Sequence, residues 1–73
     1  SYINLAFPEE YIGQPIYAEL MSNKGELVQS FRFTPGLFQN TIAVDLSKVK
    51  SGLLLLKLVT PGGIVTKKII KVD

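Results

Sequence analysis

The chain has 73 residues, of which 47% are hydrophobic and 19% are charged, with a formal net charge of +2. This composition is typical of a single globular domain and argues against intrinsic disorder, and so small a net charge does not indicate nucleic-acid binding. Neither cysteine nor histidine is present, which excludes disulfide bonds and thiolate metal sites and removes the commonest general base. The longest apolar run, residues 53–56, is far shorter than a membrane-spanning helix, so no stable membrane insertion is expected.

The first part of the chain predicts three strands. Residues 2–7 are rich in β-forming side chains and are stopped by Pro8. Residues 16–22 alternate between apolar and polar side chains, and residues 27–33 follow after the turn formers Asn23-Lys24-Gly25, which predicts a hairpin. In the third strand we expect three apolar side chains to share one face: Leu27, Phe31 and Phe33.

The next part predicts two more strands. The run NTIAVDL, residues 40–46, alternates cleanly and indicates a half-buried strand. Residues 47–51 are polar and indicate a turn or a single helical turn, ended by Gly52. Residues 53–59 are continuously apolar up to Lys57 and short, which favours a strand buried on both faces. The connection Thr60-Pro61-Gly62-Gly63 predicts a hairpin to the last strand.

The last predicted strand, residues 64–72, changes the phase of its alternation at the pair Lys67-Lys68. Either a bulge lies there, or the end of the strand serves a purpose besides packing.

These elements predict an all-β, antiparallel, immunoglobulin-like β-sandwich of about six to seven short strands, in a single domain spanning residues 1–73. A single open sheet would leave one face of Leu53 and Leu55 in water. If only one sheet covers that strand, these side chains and Lys57 form an exposed, mainly apolar surface that favours association with another molecule. The oligomeric state therefore stays open.

The segment DLSKVKSGLLLLKLVTPGGIVTKKIIK, residues 45–71, resembles the end of the type A C-terminal sorting domain of the type IX secretion system. That family typically has an Asp-Leu-Ser segment, a Ser-Gly pair before an apolar strand, and a last strand ending in Lys-Lys-Ile-Ile-Lys. Upstream, Phe7-Pro8 resembles the start of the family's opening motif, and residues 22–28 resemble its second hairpin turn. Glu9-Glu10 and Leu54 stand where the family has Asn-Pro and tyrosine. The matching positions near the end are Ser51, Gly52, Lys57, Gly63, Lys67, Lys68, Ile69, Ile70 and Lys71.

The resemblance implies a folded signal domain, excised from a larger exported protein, that performs no chemistry and needs no cofactor. It implies a path through the periplasm to the cell surface or the medium. The implied partners are components of the type IX outer-membrane translocon and a sortase-like peptidase on the cell surface.

Within this resemblance the recognised segment is expected to be Lys67, Lys68, Ile69, Ile70 and Lys71. Gly52 and Gly63 are expected to shape the turns that present it. An edge strand of this kind could be read by strand addition or by an acidic receptor groove. The alternative is that its lysines only protect an exposed edge against aggregation.

Other functions find less support in the sequence. An accessory carbohydrate-binding or spacer module is the main alternative, with Tyr2, Tyr11, Tyr17 and Phe7 as a stacking platform, although most of these aromatic side chains are expected in the core. No metal site is expected, because the acidic residues are scattered along the chain. An enzyme would need a base other than histidine and a larger cleft than this length allows.

Overall fold

The computed structural model describes residues 2–72 and contains six strands and a single turn of 3₁₀ helix at Glu9–Tyr11. The strands are β1 (Tyr2–Ala6), β2 (Ile16–Ser22), β3 (Leu27–Phe33), β4 (Thr41–Asp45), β5 (Gly52–Thr60) and β6 (Gly63–Lys71). Each predicted strand is present, with its ends shifted by one residue at most. The strands follow from apolar alternation between turn residues that end each run.

The strands form two antiparallel sheets. β1 pairs with β4, and the other four strands lie in the order β3-β2-β5-β6. The predicted all-β, antiparallel, immunoglobulin-like sandwich is therefore confirmed. β6, the last strand in the chain, lies at an edge of the larger sheet, where one side of its backbone has no neighbouring strand among the described residues.

The two sheets enclose one apolar core. Alternate residues of β2 and β5 point into it, because successive side chains of a strand point to opposite faces. Phe7 lies between the sheets, and its ring centroid is 5.4 Å from that of Phe33. The buried apolar side chains are Phe7, Ile16, Ala18, Leu20, Val44, Leu46, Val49, Leu54, Leu56 and Leu58.

A β-bulge interrupts the hairpin of β2 and β3, where Val28 is an extra residue opposite β2. An extra residue reverses the face to which the following side chains point. Leu27 therefore points outward and is 55% exposed, whereas Phe31 and Phe33 pack against the core. The prediction that these three side chains share a face is wrong for Leu27, because alternation was counted across the bulge.

The strand β5 is buried on one face only, which corrects the prediction of burial on both. Leu54 and Leu56 point into the core, but Leu53 is 40% exposed and Leu55 is half-buried. The second sheet has two strands in the described part of the chain, and it covers the inner face of the larger sheet. The outer face of β5 is left to the solvent.

No bulge occurs in β6. Its pairing with β5 runs without a register shift from Gly52 opposite Lys71 to Thr60 opposite Gly63. The adjacent lysines, Lys67 and Lys68, therefore point to opposite faces of the sheet. The bulge that the change of phase suggested is excluded.

Candidate recognition surface

The structure divides the five predicted recognition residues between two faces of β6. Lys67, Ile69 and Lys71 lie on the face that carries the core, whereas Lys68 and Ile70 lie on the outer face. A single flat partner cannot contact all five side chains at once.

The two isoleucines of β6 have different environments. Ile69 is opposite Leu54 and packs against the core cluster. Ile70 is opposite Leu53 and is 73% exposed. Ile69 therefore holds the strand in place, and Ile70 is available to a partner.

The three lysines of the segment also differ. Lys71 is half-buried, and its ammonium group donates hydrogen bonds to the backbone carbonyls of Leu46, at 2.8 Å, and Val49. Lys71 thereby ties β6 to the loop that connects β4 with β5. Lys67 is one of the residues that line a cleft of about 300 Å³ beside β1. Lys68 is exposed and forms no ion pair within residues 2–72.

Gly52 and Gly63 stand at the first positions of β5 and β6, with φ angles of +132° and +136°. Residues with a side chain rarely adopt this conformation. Gly63 closes the two-residue turn Pro61-Gly62, and the hydroxyl of Thr60 donates to its carbonyl at 3.0 Å. The two glycines thus hold both ends of the β5–β6 pair.

A polar row crosses the outer face of the larger sheet. The ammonium of Lys57 lies 3.7 Å from the carboxylate of Glu19, which also accepts a hydrogen bond from the Tyr17 hydroxyl at 3.5 Å. The guanidinium of Arg32 lies over the Tyr17 ring, 5.1 Å from its centroid. Glu19 is therefore already engaged by Lys57, a cation of its own face.

An apolar band lies beside this row on the outer face. Cross-strand pairing places Leu27 opposite Met21, Met21 opposite Leu55 and Leu53 opposite Ile70, while Lys68 pairs with Leu55. We call this set the outer band: Met21, Leu27, Leu53, Leu55 and Ile70, with Lys68 beside it. Large exposed apolar patches on small soluble domains commonly mark interaction sites.

The outer band leads into a cleft of about 440 Å³, which we call the basic cleft, between the β2–β3 turn and the β4–β5 loop. Leu27 and Leu53 belong to both features. Three lysines line the cleft, Lys24, Lys48 and Lys50. Sequence reasoning missed this cleft because Lys24 is far along the chain from the other two, and only the fold brings the two loops together.

Local hydrogen bonds shape the two loops of the basic cleft. The Ser22 hydroxyl accepts the backbone N–H groups of Lys24 and Glu26, each at 3.2 Å. In the other loop, Asp45 accepts the Ser47 N–H at 2.8 Å, and this bond, followed by one from the Ser47 hydroxyl, lowers the pKa of the Asp45 carboxyl. The loops are therefore held by their own polar side chains.

Within residues 2–72, the structure does not bring together the residues of the two other candidate sites, a metal site and an aromatic platform for sugars. Within residues 2–72 no group of acidic side chains lies close enough to hold a metal ion. The tyrosines are dispersed: Tyr11 packs against the core, Tyr17 lies under Arg32, and Tyr2 begins β1 in the other sheet. The part of the chain that the structure describes has no helix with the length and apolar character needed to cross a membrane.

The fold and these surfaces define a small β-sandwich module with an exposed outer face that is both apolar and cationic. The chain matches, over residues 1–72, the family described as the secretion system C-terminal sorting domain, and it belongs to that family. The domain is a C-terminal sorting signal for type IX secretion, as the resemblance in the sequence implied. Membership implies interaction with the secretion system and export to the cell surface or medium. No curated protein and no solved structure matches the chain.

Proposed function

We propose that this domain is a non-catalytic address label whose last strand, β6, is read by components of the type IX translocon. A sortase-like peptidase on the cell surface then removes the domain from its larger parent. In this proposal the domain passes through the periplasm in its folded form, and the parent goes on to the surface or the medium.

The observation that carries the proposal is the position of β6 at a sheet edge with an unbroken register. This arrangement offers Lys68 and Ile70 on the outer side, Lys67 on the other side, and an edge that has no neighbouring strand among the described residues. Ile69 and Lys71 support recognition indirectly, because they fix the strand to the core and to the β4–β5 loop.

The proposal is tested by fusing residues 1–73 behind a fluorescent reporter that carries an export signal peptide. Secretion is compared in cells that possess the type IX translocon and in cells that lack it. We expect Lys68→Glu combined with Ile70→Ser to retain the reporter inside translocon-competent cells. Both side chains are exposed, so the thermal midpoint of the purified domain should hardly change.

The matched control is Ile64→Ser, because Ile64 also lies on the outer face of β6 and is 63% exposed, but at the opposite end of the strand. This variant should be secreted like the unmodified fusion. Normal secretion of the Lys68→Glu, Ile70→Ser fusion would show that the outer side of β6 is not what the translocon reads.

A further inference from the structure

The basic cleft and the outer band form one continuous surface, because Leu27 and Leu53 line the cleft and also belong to the band. Both side chains are exposed, at 55% and 40%. The surface is therefore a concave basic end joined to an apolar strip, and it extends well beyond β6 across three further strands.

The charge of this surface is one-sided. Lys24, Lys48 and Lys50 are exposed around the cleft, and none of them forms an ion pair within residues 2–72. Glu26 is the one carboxylate among the described residues that line the cleft. With Lys68 beside the band, the lysines around these apolar side chains outnumber the carboxylates.

We propose that this surface binds an extended segment of a partner protein in which carboxylates flank apolar side chains. Carboxylates would pair with the cleft lysines through charge-assisted hydrogen bonds, and apolar side chains would cover Leu27 and Leu53. The inference rests on the proposed function in one respect, that the partner is a component of the export machinery.

Two other occupants fit the surface less well. A second copy of the domain in a two-fold symmetric dimer would bring the same lysines against each other, and like charges facing across an interface are unfavourable. A flat anionic bilayer could contact the exposed lysines but could not follow the concave surface of the cleft. An extended peptide satisfies both the charge and the shape.

The first test uses the purified chain and a short fluorescent peptide in which glutamates flank a central run of valines. We expect saturable binding that weakens as salt is added, and no comparable binding of the peptide with lysine in place of glutamate. Lys48→Gln combined with Lys50→Gln should weaken binding about tenfold, the change that about 1.4 kcal/mol produces. Vesicles of phosphatidylglycerol are the competing probe, and binding of vesicles but not of the peptide would overturn the proposal.

The matched control is Gln39→Glu combined with Thr41→Glu, which lowers the net charge by the same amount at exposed positions outside the basic cleft. This control should bind the peptide like the unmodified domain. If it weakens binding as much as the lysine variant does, the attraction comes from overall charge and the cleft is not the site.

A second test separates this inference from the proposed function. The reporter fusion carrying Lys48→Gln and Lys50→Gln should be retained in translocon-competent cells, with an unchanged thermal midpoint of the purified domain. Normal secretion of this fusion, while the Lys68→Glu, Ile70→Ser fusion is retained, would overturn the inference and leave the proposed function standing. If both fusions are secreted normally, the proposed function and the inference both fail.

Discussion

Leu53 and Leu56 are identical side chains on the same strand that point to opposite faces of the sheet. Leu56 is fully buried, whereas Leu53 is 40% exposed. We predict that Leu56→Ala lowers the free energy of unfolding by about 2–5 kcal/mol, because it leaves a cavity in a closely packed core. A domain of this size has a total stability of only a few to about ten kcal/mol, so this single substitution removes a large part of the free energy of unfolding.

Urea denaturation followed by circular dichroism measures this loss. The matched variant is Leu53→Ala, which removes the same atoms from the outer face and should cost far less. Equal losses for the two variants would mean that another surface covers Leu53 in solution.

Gly63 provides a prediction about the backbone. A Cβ atom at this position would meet nothing within 4 Å, so Gly63→Ala creates no clash. Its φ angle of +136° is nevertheless unfavourable for alanine, and we expect a loss of about 1–3 kcal/mol in the free energy of unfolding. Urea denaturation of Gly62→Ala is the control, since residue 62 lacks a positive φ and its Cβ would make only an ordinary contact with Thr60. A stable Gly63→Ala variant would show that the turn has another accessible conformation.

The sequence alone was enough to predict the environment of some residues but not of others. Period two is a local property of any strand, and it is sufficient to place the adjacent residues Ile69 and Ile70 on opposite faces. Nothing local predicted that Lys71 would bond to carbonyls more than twenty positions earlier in the chain. Such a contact depends on where two distant elements meet.

At the scale of elements, Lys71 makes β6 part of the support for the β4–β5 loop. We predict that Lys71→Met lowers the free energy of unfolding by about 1–3 kcal/mol, since it removes both hydrogen bonds to the loop carbonyls. Amide hydrogen exchange of residues 46–52 should accelerate, because the loop loses its attachment.

Lys68→Met is the matched variant, because Lys68 is exposed and its side chain makes no hydrogen bond to the described residues. It should leave both exchange and stability unchanged. Exchange in the loop that is insensitive to Lys71→Met would show that the Asp45 turn holds the loop by itself.

The strands themselves could be predicted from the sequence because each combines alternation or a short apolar run with turn residues at both ends. The bulge at Val28 and the uncovered face of β5 could not. A bulge is set by pairing with the neighbouring strand, and coverage of β5 depends on how many strands the second sheet provides. The basic cleft was missed for the same reason, since it forms where two loops distant in sequence lie side by side.

At the scale of the whole molecule, our proposal assigns folding and recognition to opposite sides of the same strand. The inner side of β6 completes the core through Ile69, and the outer side carries Lys68 and Ile70. Glu19, which lies beside Lys57, is the acidic side chain that the described strands of the larger sheet place on this face. The sandwich therefore has a covered apolar face and an open face on which apolar and cationic side chains are mixed.

Because β6 contributes both to the core and to the proposed recognition surface, the structure predicts the effect of deleting the end of the chain. Deleting residues 67–73 removes the strand partners of residues 52–56 and exposes Leu54 and Leu56 at a new sheet edge. We expect the truncated domain to lose its β-sheet circular dichroism and its cooperative unfolding transition, because a domain this small has little stability to lose. Secretion lost with this deletion would then report unfolding as much as recognition. A truncated domain that still unfolds cooperatively would mean that β6 is dispensable for the fold, and the deletion would then test recognition directly.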